Sequence, residues 1–241
     1  MTISSTMKVR DVVLELPQAT TVFEKLKIDY CCGGDTPLGE ACATAGVEVA
    51  NLERMLEEAV RVDVQSNGSI DFAKTTLGEL IGHILDRHHV YTKEEMDRLE
   101  PLIEKVISAH GENHPELRSL GGLFQQLCAD LKPHMFKEEQ VLFPYILEME
   151  KASLQHGAAP FAPFGTVSNP IRMMMMEHET VGELLRELRA ISSNYTVPPD
   201  GCISYQTLYQ ALEAFEKDLH QHIHLENNIL FPRAVELEGS R

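Results

Sequence analysis

Two segments of the sequence repeat one pattern of histidine, glutamate, leucine, phenylalanine and proline. The first, HMFKEEQVLFP, starts at His134, and the second, HIHLENNILFP, starts 88 residues later at His222. Such a repeat is typical of duplicated supersecondary units. Each copy contains His-x-x-x-Glu, which pairs His134 with Glu138 and His222 with Glu226. Because residues four apart share a helix face, each pair is suited to binding a metal ion.

A further histidine precedes each repeat by nearly the same distance. His89 lies 45 residues before His134, and His178 lies 44 residues before His222. The adjacent His88 is an alternative to His89. All of these polar residues continue apolar stripes, at positions where a helix normally places core side chains. The pattern therefore predicts four histidines and two glutamates that meet in the protein interior.

The cost of burial distinguishes a metal site from ordinary packing. An exposed His–Glu pair on one helix contributes only about 0.2 to 0.5 kcal/mol. Burying six uncompensated groups costs ~1 to 3 kcal/mol each, which together approaches the roughly 5 to 15 kcal/mol stability of a domain. A cation among the side chains would offset that cost. A metal-free core of mutual His–Glu hydrogen bonds stays the alternative.

The donor set narrows the choice of metal. Four imidazoles and two carboxylates are too many for one tetrahedral zinc ion, include no thiolate, and are too rich in nitrogen for calcium or magnesium. Two redox-active iron ions fit better, each with three ligands from one helix pair. Two manganese ions or a mixed pair stay open. The order His-x-x-x-Glu differs from the Glu-x-x-His of ferritin-like proteins and indicates a hemerythrin-like group.

Four long amphipathic stretches must position these side chains. Thr76 and Glu79 form a capping box before the first stretch, and Asn169 followed by a proline marks the start of the third. A proline inside a helix removes a backbone hydrogen bond, so we expect a kink at Pro101 and a bend at Pro133. The predicted bundle helices are A (77–110), B (115–150), C (170–192) and D (204–236).

The chain divides into three parts. Residues 1–62 contain short helical pieces, one of which is closed by Gly46. Residues 63–76 are polar and mostly without helical periodicity, so they predict a linker. Residues 77–241 contain the four long helices. The predicted fold is all-α, with a small N-terminal helical domain followed by a hemerythrin-like antiparallel four-helix bundle.

Composition excludes several classes of protein. Thirty-seven acidic and 21 basic residues give a net charge of −16, which repels nucleic-acid phosphates. No apolar run reaches the ~20 residues of a membrane span, and the N-terminus lacks a signal peptide. We therefore expect a cytoplasmic protein without nucleic-acid or membrane partners. The five cysteines include the adjacent Cys31 and Cys32, which favours reduced thiols over a disulfide framework.

Together these motifs resemble a known family. The two repeated segments, MEHETVGELL around His178, and DYCCGGD at residues 29–35 are similar to the iron–sulfur cluster repair di-iron (RIC) family over nearly the whole chain. The resemblance implies a ScdA-type N-terminal domain, which carries Cys31 and Cys32, followed by a hemerythrin-like di-iron domain. Both glutamates would bridge the two irons, and an oxo bridge is compatible with the site. The implied iron ligands are His89, His134, Glu138, His178, His222 and Glu226.

The resemblance also implies a function. Such a protein repairs iron–sulfur clusters damaged by nitric oxide or peroxide, by donating iron to damaged iron–sulfur proteins, and is often a homodimer. The adjacent Cys31 and Cys32 are themselves candidates for redox chemistry, for iron transfer or for docking of the damaged client, and a buried turn without a function is the alternative. The alternative is nitric oxide binding, or its reduction to nitrous oxide, at the di-iron site, so whether the protein is an enzyme stays open. Oxygen carriage explains neither the extra domain nor the adjacent cysteines.

Other histidines lie off the ligand face. We expect His224 at the surface or next to a ligand, and His83 near the metal or its access path. His110 and His114 lie near a helix end, where capping or solvent exposure is the default.

Overall fold

The computed structural model describes residues 3–65, 72–158 and 160–240. Its described part is built from helices, turns and loops, with one isolated β-bridge between Lys8 and Pro37. The predicted all-α fold is confirmed. Residues 66–71 of the predicted linker lie outside the described residues. None of the described helices has both the length and the hydropathy that crossing a bilayer requires.

Four short helices form the N-terminal part of the protein. Apolar residues from these helices, including Val12, Phe23 and Leu52, meet in a core of their own. The third helix ends at Gly46, whose left-handed backbone (φ 69°) suits glycine because it has no Cβ. The helices are α1 (Val9–Glu15), α2 (Ala19–Leu26), α3 (Leu38–Ala45) and α4 (Val49–Gln65), the last of which continues past the predicted boundary at residue 62.

The four predicted bundle helices are present, and three of them contain a π-helical turn. Helix A packs against helices B and D, and helix B also packs against helix C. Helix A comprises α5 (Leu77–His83), a π-helical turn (Ile84–His89) and α6 (Val90–His110), and helix B comprises α7 (Glu116–Lys137), a π-helical turn (Glu138–Leu142) and α8 (Phe143–Leu154). Helix C is α9 (Ser168–Ile191), and helix D comprises α10 (Ile203–His224), a π-helical turn (Leu225–Leu230) and α11 (Phe231–Gly239).

The starts of the bundle helices test the capping predictions. The Thr76 side chain accepts a hydrogen bond from the Glu79 backbone, and the Glu79 side chain accepts one from the Thr76 backbone, so the predicted capping box is confirmed. The prediction that Asn169 caps helix C is wrong. Helix C begins one residue earlier, at Ser168, and the backbone N–H of Val167 donates instead to the carboxylate of Glu238.

Two prolines lie inside bundle helices, and the kink and the bend expected there stay predictions. Pro101 and Pro133 lie inside α6 and α7, and neither interrupts its helix. The irregular backbone lies at the π-helical turns, two of which end just before Pro144 and Pro232. Proline cannot donate a hydrogen bond to the carbonyl four residues earlier, and a widened turn accommodates that loss. The repeated Phe-Pro of the two segments is therefore the sequence signal of these turns.

The bundle interior consists of two apolar layers with a polar layer between them. One apolar layer contains residues such as Leu127, Leu131 and Phe215. The other contains residues such as Phe143 and Phe231. The polar layer between them comprises the buried residues His89, His134, Glu138, His178, His222 and Glu226.

Candidate metal centre

The six candidate ligands come from all four bundle helices. His89 ends the π-helical turn of helix A, while Glu138 begins the π-helical turn of helix B and Glu226 lies in that of helix D. In helices B and D the turn is closed by a hydrogen bond to the carbonyl of the ligand glutamate itself, at Glu138 and Glu226. A π-helical turn changes the direction of the following side chains and is common at functional sites.

The six side chains form two groups that share both glutamates. One group contains His89 and His222, the other contains His134 and His178, and Glu138 and Glu226 belong to both. The sequence interpretation had assigned each ion to one helix pair, and the structure corrects this. Helix A supplies its histidine to the same group as helix D, and helix B supplies its histidine to the same group as helix C.

Each glutamate directs its two oxygens to different groups. Glu138 places Oε2 3.4 Å from His89 Nε2 and Oε1 3.3 Å from His134 Nε2. Glu226 places Oε1 3.1 Å from His222 Nε2 and Oε2 3.1 Å from His178 Nε2. This arrangement is what a carboxylate needs in order to bridge two ions.

The histidine nitrogens have the spacing of ligands on a shared ion. The Nε2 atoms of His89 and His222 are 3.1 Å apart, and those of His134 and His178 are 3.0 Å apart. Two imidazoles bound ~2.1 Å from one ion at about a right angle would place their nitrogens about 3 Å apart. Each group therefore fits one metal ion with two nitrogen and two oxygen ligands.

Unpaired polar atoms also point to a cation in this layer. Glu138 and Glu226 are both 0% exposed. Within the described part of the chain, both carboxylate oxygens of Glu138 and Oε2 of Glu226 are buried without a hydrogen-bond partner. Such groups are rare in native proteins because they lose their hydration without compensation. The six residues therefore fit a two-metal centre.

The glutamates are held in the charged form that a metal requires. Burial by itself would raise the pKa of Glu226, but His222 and His178 outweigh that effect and keep the pKa well below its usual range. Burial would likewise lower the pKa of His134, but the Glu138 carboxylate raises it to about 10. Negative charge in the layer therefore attracts protons when no metal is bound, and would attract a metal ion in the same way.

Outer hydrogen bonds orient three of the four histidines. His89 donates through Nδ1 to Glu139 at 2.8 Å, and His134 donates through Nδ1 to Glu177 at 2.8 Å. His178 donates through Nδ1 to the side-chain oxygen of Asn227 at 2.8 Å. Partners of this kind fix the ring orientation and raise the basicity of a ligand histidine.

These outer partners were not found from the sequence, although a signal was present. Glu139 and Asn227 directly follow the two candidate-ligand glutamates, and Glu177 directly precedes His178. A polar residue next to each ligand, at the edge of an apolar stripe, is the pattern that could have identified them. Lys93 contacts Glu139 and Lys137 contacts Glu177, so both carboxylates are also paired with a cation.

The structure assigns different positions to the neighbouring residues His88 and His89 relative to the ligand groups. His88 Nδ1 lies 3.1 Å from Asp218 Oδ2, and its ring stacks on His222 with centroids 5.6 Å apart. His88 belongs to neither metal-ligand group, whereas His89 belongs to one of them. His83 contacts both Phe72 and His88 through its ring, and it lines a cavity of about 250 Å³ next to His88.

His224 does not lie at the surface. It is 5% exposed, its Nδ1 accepts a hydrogen bond from Asn228, and its ring contacts Tyr30 with centroids 5.5 Å apart. Asn228 also donates to the Tyr30 carbonyl at 3.1 Å. His224 and Asn228 therefore hold the N-terminal domain against helix D, and His224 belongs to neither ligand group.

The adjacent cysteines lie where the N-terminal domain touches the bundle. All five cysteines are free, and the Sγ atoms of Cys31 and Cys32 are 3.8 Å apart. The Cys32 thiol donates to the His178 carbonyl at 3.5 Å, and Asn227 donates to the Cys31 carbonyl at 3.2 Å. The loop with the two cysteines is thus in direct contact with a candidate ligand.

The remaining cysteines and histidines lie outside the ligand groups. Cys42 and Cys128 are buried in apolar clusters, and Cys202 is exposed. His114 pairs with Asp200, and the rings of His110 and His114 contact Tyr205.

Comparisons with known sequences agree with this architecture. A sequence model of the hemerythrin HHE cation binding domain matches residues 80–234, a span that includes all six candidate ligands. A second model, ScdA_N, described as a domain of unknown function (DUF542), matches residues 5–60, which include both adjacent cysteines.

Full-length relatives carry both parts. A probable iron–sulfur cluster repair protein from Haemophilus influenzae is 32% identical over 228 residues, covering 95% of this chain and 96% of that protein. The iron–sulfur cluster repair protein YtfE from Yersinia pseudotuberculosis is 35% identical over 222 residues, covering 92% and 93% of the two chains. YtfE from Yersinia pestis is 34% identical over the same length. The chain therefore belongs to the family of iron–sulfur cluster repair proteins that contain a hemerythrin HHE cation binding domain.

Proposed function

We propose that the buried layer holds two iron ions bridged by Glu138 and Glu226. One ion would be bound by His89 and His222, and the other by His134 and His178. The observation that carries this proposal is that both glutamates direct one oxygen to each histidine pair. A single ion could not use both groups at once.

The chemistry of the donors favours iron. Each ion would have two imidazoles and two carboxylate oxygens, without a thiolate, from the residues of its group. Iron accepts such mixed nitrogen and oxygen ligands and retains open positions, while calcium and magnesium prefer oxygen ligands alone. A pair of manganese ions is the alternative with the same donors. An oxo bridge between the ions is compatible with the open positions.

We further propose that the protein repairs damaged iron–sulfur clusters by donating this iron. The full-length relatives are named for cluster repair, which supports the assignment. Histidine and carboxylate ligands release a metal when they are protonated or when a stronger acceptor competes for it. Iron in this site is then a cargo, and damaged iron–sulfur proteins are the recipients. The proposal retains the predicted cytoplasmic location and homodimer, which stay predictions.

Nitric oxide binding or reduction is the second candidate function. Each histidine pair with two carboxylate oxygens supplies four ligands, so a six-coordinate iron would have positions left for a diatomic molecule. The cavity of about 250 Å³ beside His88 is lined largely by apolar residues and would admit such a molecule. Bound iron would supply the electrons and the binding position, while the surrounding residues exclude water.

A paired assay distinguishes the two functions. Iron-loaded protein would be mixed with a metal-free iron–sulfur protein, and separately with nitric oxide while nitrous oxide is measured. Under the donor proposal, and with inorganic sulfide and a thiol reductant added, the recipient regains its cluster while iron leaves this protein in a matching amount, and Glu138→Leu abolishes the effect. Reduction of two nitric oxide molecules to nitrous oxide and water consumes two protons and two electrons, so a reductant is added to that arm of the assay. Repeated production of nitrous oxide, together with no iron transfer, would contradict donation and support the second function.

A further inference from the structure

Three further potential metal ligands lie on the N-terminal loop that touches helix C. The Asp29 carboxylate and the thiols of Cys31 and Cys32 each place one donor atom within 4.8 Å of the other two. We propose that Asp29, Cys31 and Cys32 form a second metal site, which receives an iron(II) ion on its way out of the buried centre. This transit role rests on the proposed donation of iron, whereas the ability to bind a metal does not.

The distances between the donor atoms match those around a single ion. Two thiolates ~2.3 Å from a tetrahedral ion lie about 3.8 Å apart, and a carboxylate oxygen at ~2.1 Å lies about 3.6 Å from each of them. The Sγ atoms of Cys31 and Cys32 are 3.8 Å apart, and Cys31 Sγ is 3.3 Å from Asp29 Oδ1. The three residues would leave a fourth position for water or a receiving ligand.

The loop is shaped around the Asp29 carboxylate. Asp29 Oδ1 accepts hydrogen bonds from the backbone N–H groups of Cys31 at 3.2 Å and Cys32 at 2.9 Å. The next residue is Gly33, where a Cβ would lie 3.0 Å from the Asp29 carbonyl oxygen and 3.2 Å from its side chain. A side chain at position 33 would therefore crowd the backbone and the carboxylate of Asp29. On the outer side, Arg186 lies 3.5 Å from Asp29 Oδ2.

Binding at this site requires proton loss but no electron transfer. Each thiol that binds the ion as a thiolate releases one proton to solvent, while the Asp29 carboxylate is ionised at neutral pH. Thiolates favour thiophilic ions, including iron and zinc, over calcium and magnesium.

The second site lies between the buried centre and solvent. The Cys32 thiol contacts the His178 carbonyl, and Asn227 joins His178 Nδ1 to the Cys31 carbonyl through one side chain. Asp29 is exposed and Cys32 is half-buried, whereas all ligands of the centre are buried. The proposed second site is therefore joined to His178 in two ways, through the His178 carbonyl and through the side chain of Asn227.

Cadmium titration of the iron-loaded, full-length protein tests the metal site. We expect one cadmium ion per chain to bind without loss of iron and to produce a thiolate-to-cadmium charge-transfer band. Replacing both Cys31 and Cys32 by serine should weaken this binding by at least the roughly 10- to 100-fold that loss of a supporting group causes. Cys202→Ser, which changes an exposed thiol elsewhere, should have no effect.

Release of iron to an iron(II) chelator tests the transit role without a client protein. The double serine variant should release iron about tenfold more slowly than the Cys202→Ser control, the lower end of the effect of losing a supporting group. If the double variant unfolds more easily, Cys32→Ser replaces it, because Cys32 is only half-buried.

Two results would overturn the proposal. One is the absence of a cadmium ion beyond the iron in the wild-type protein. The other is an unchanged rate of iron release in folded cysteine variants. Failure of cluster repair in a client, with the cadmium and chelator results as expected, would contradict the proposed donation and leave the metal site supported.

Discussion

The two repeated segments have the same ligands but different surroundings. In the first, Phe136 is 63% exposed, while its counterpart in the second, His224, is 5% exposed. Likewise, Glu139 pairs with Lys93 at the edge of the bundle, while its counterpart Asn227 bonds to the N-terminal domain. The candidate metal ligands are therefore the same in both copies, and the residues around them differ where the N-terminal domain covers helix D.

The hydrogen bonds behind the candidate ligand histidines also differ between the two repeats. Glu139 orients His89, and its counterpart Asn227 orients His178, so a carboxylate in one half is replaced by a neutral amide in the other. Asn227 can donate to a carbonyl as well as accept from a histidine, which a carboxylate cannot do. The amide therefore joins the metal ligand to the cysteine loop.

A second pair of matched positions differs in the opposite direction. Glu177 precedes His178 and accepts a hydrogen bond from His134. The matching position before His89 is His88, which bonds to Asp218 and leaves His222 Nδ1 without a partner among the described residues. Each half of the centre therefore has one outer carboxylate, Glu139 on His89 in one half and Glu177 on His134 in the other.

The largest loss of iron is expected when either glutamate of the proposed bridge is replaced. This loss should be equal in the two repeats. Glu138→Leu and Glu226→Leu should each release both irons while the bundle stays helical. Each carboxylate belongs to both ligand groups, and leucine continues the apolar stripe at either position. Iron content and thermal unfolding would be measured on the same samples. Loss of iron in only one variant would show that the two repeats are not equivalent.

Core leucines of the same two helices provide the matched control. Leu131 and Leu219 lie three residues before the histidine of each repeat, and both are buried. Replacement by alanine should cost about 2 to 5 kcal/mol in either helix through the cavity it leaves. If Glu138→Leu destabilises the metal-free protein as much as Leu131→Ala does, the glutamate supports the fold and the site is structural.

His224 is expected to lower the free energy of unfolding by an intermediate amount when the pH is lowered. Burial lowers the pKa of His224 from 6.5 to about 4. Below pH 6.5 the unfolded chain binds a proton at this residue that the folded chain does not, so stability falls as the pH drops from 6.5 towards 4. The loss approaches roughly 3 kcal/mol at the lower limit and is absent above pH 6.5.

His224 and Phe136 occupy matching positions in the two repeats, so exchanging their residue types isolates the contribution of His224 to the pH dependence of stability. His224→Phe should remove the loss of stability between pH 6.5 and 4, while Phe136→His should add none, because position 136 is exposed. Unfolding by denaturant would be compared for the metal-free variants and the metal-free wild type. Parallel pH dependence of the wild type and His224→Phe would show that His224 is not held neutral by the docked domain.

The smallest change in iron affinity is expected when the hydrogen-bond partners behind the histidines are replaced. Its sign should be opposite for Glu139, behind His89, and for Asn227, behind His178. Glu139→Gln removes the negative charge behind His89 and should weaken iron binding by about tenfold, the lower end for such partners. Asn227→Asp adds a charge behind His178 and should strengthen iron binding, while it removes the bond to the Cys31 carbonyl. Competition with an iron chelator measures both. A change in the same direction for both variants would contradict the different roles of the two positions.

The sequence determined the all-α fold, the four long helices and the set of residues gathered in the polar layer. These features follow from local periodicity, since a histidine or glutamate on an apolar stripe must face the interior wherever the helix packs. The choice between His88 and His89 could not be made in this way. Both are buried, and the π-helical turn that ends at His89 sets which ring points to the centre.

Tertiary structure decided how the ligands are grouped and what surrounds them. The sequence paired His89 with His134 because they lie on consecutive helices, whereas the packing of helix A against helix D pairs His89 with His222. The burial of His224 was also outside the reach of local pattern, because it depends on Tyr30, far away in the chain. Contacts between distant segments follow from which helix faces meet, and a single helix does not encode its neighbour.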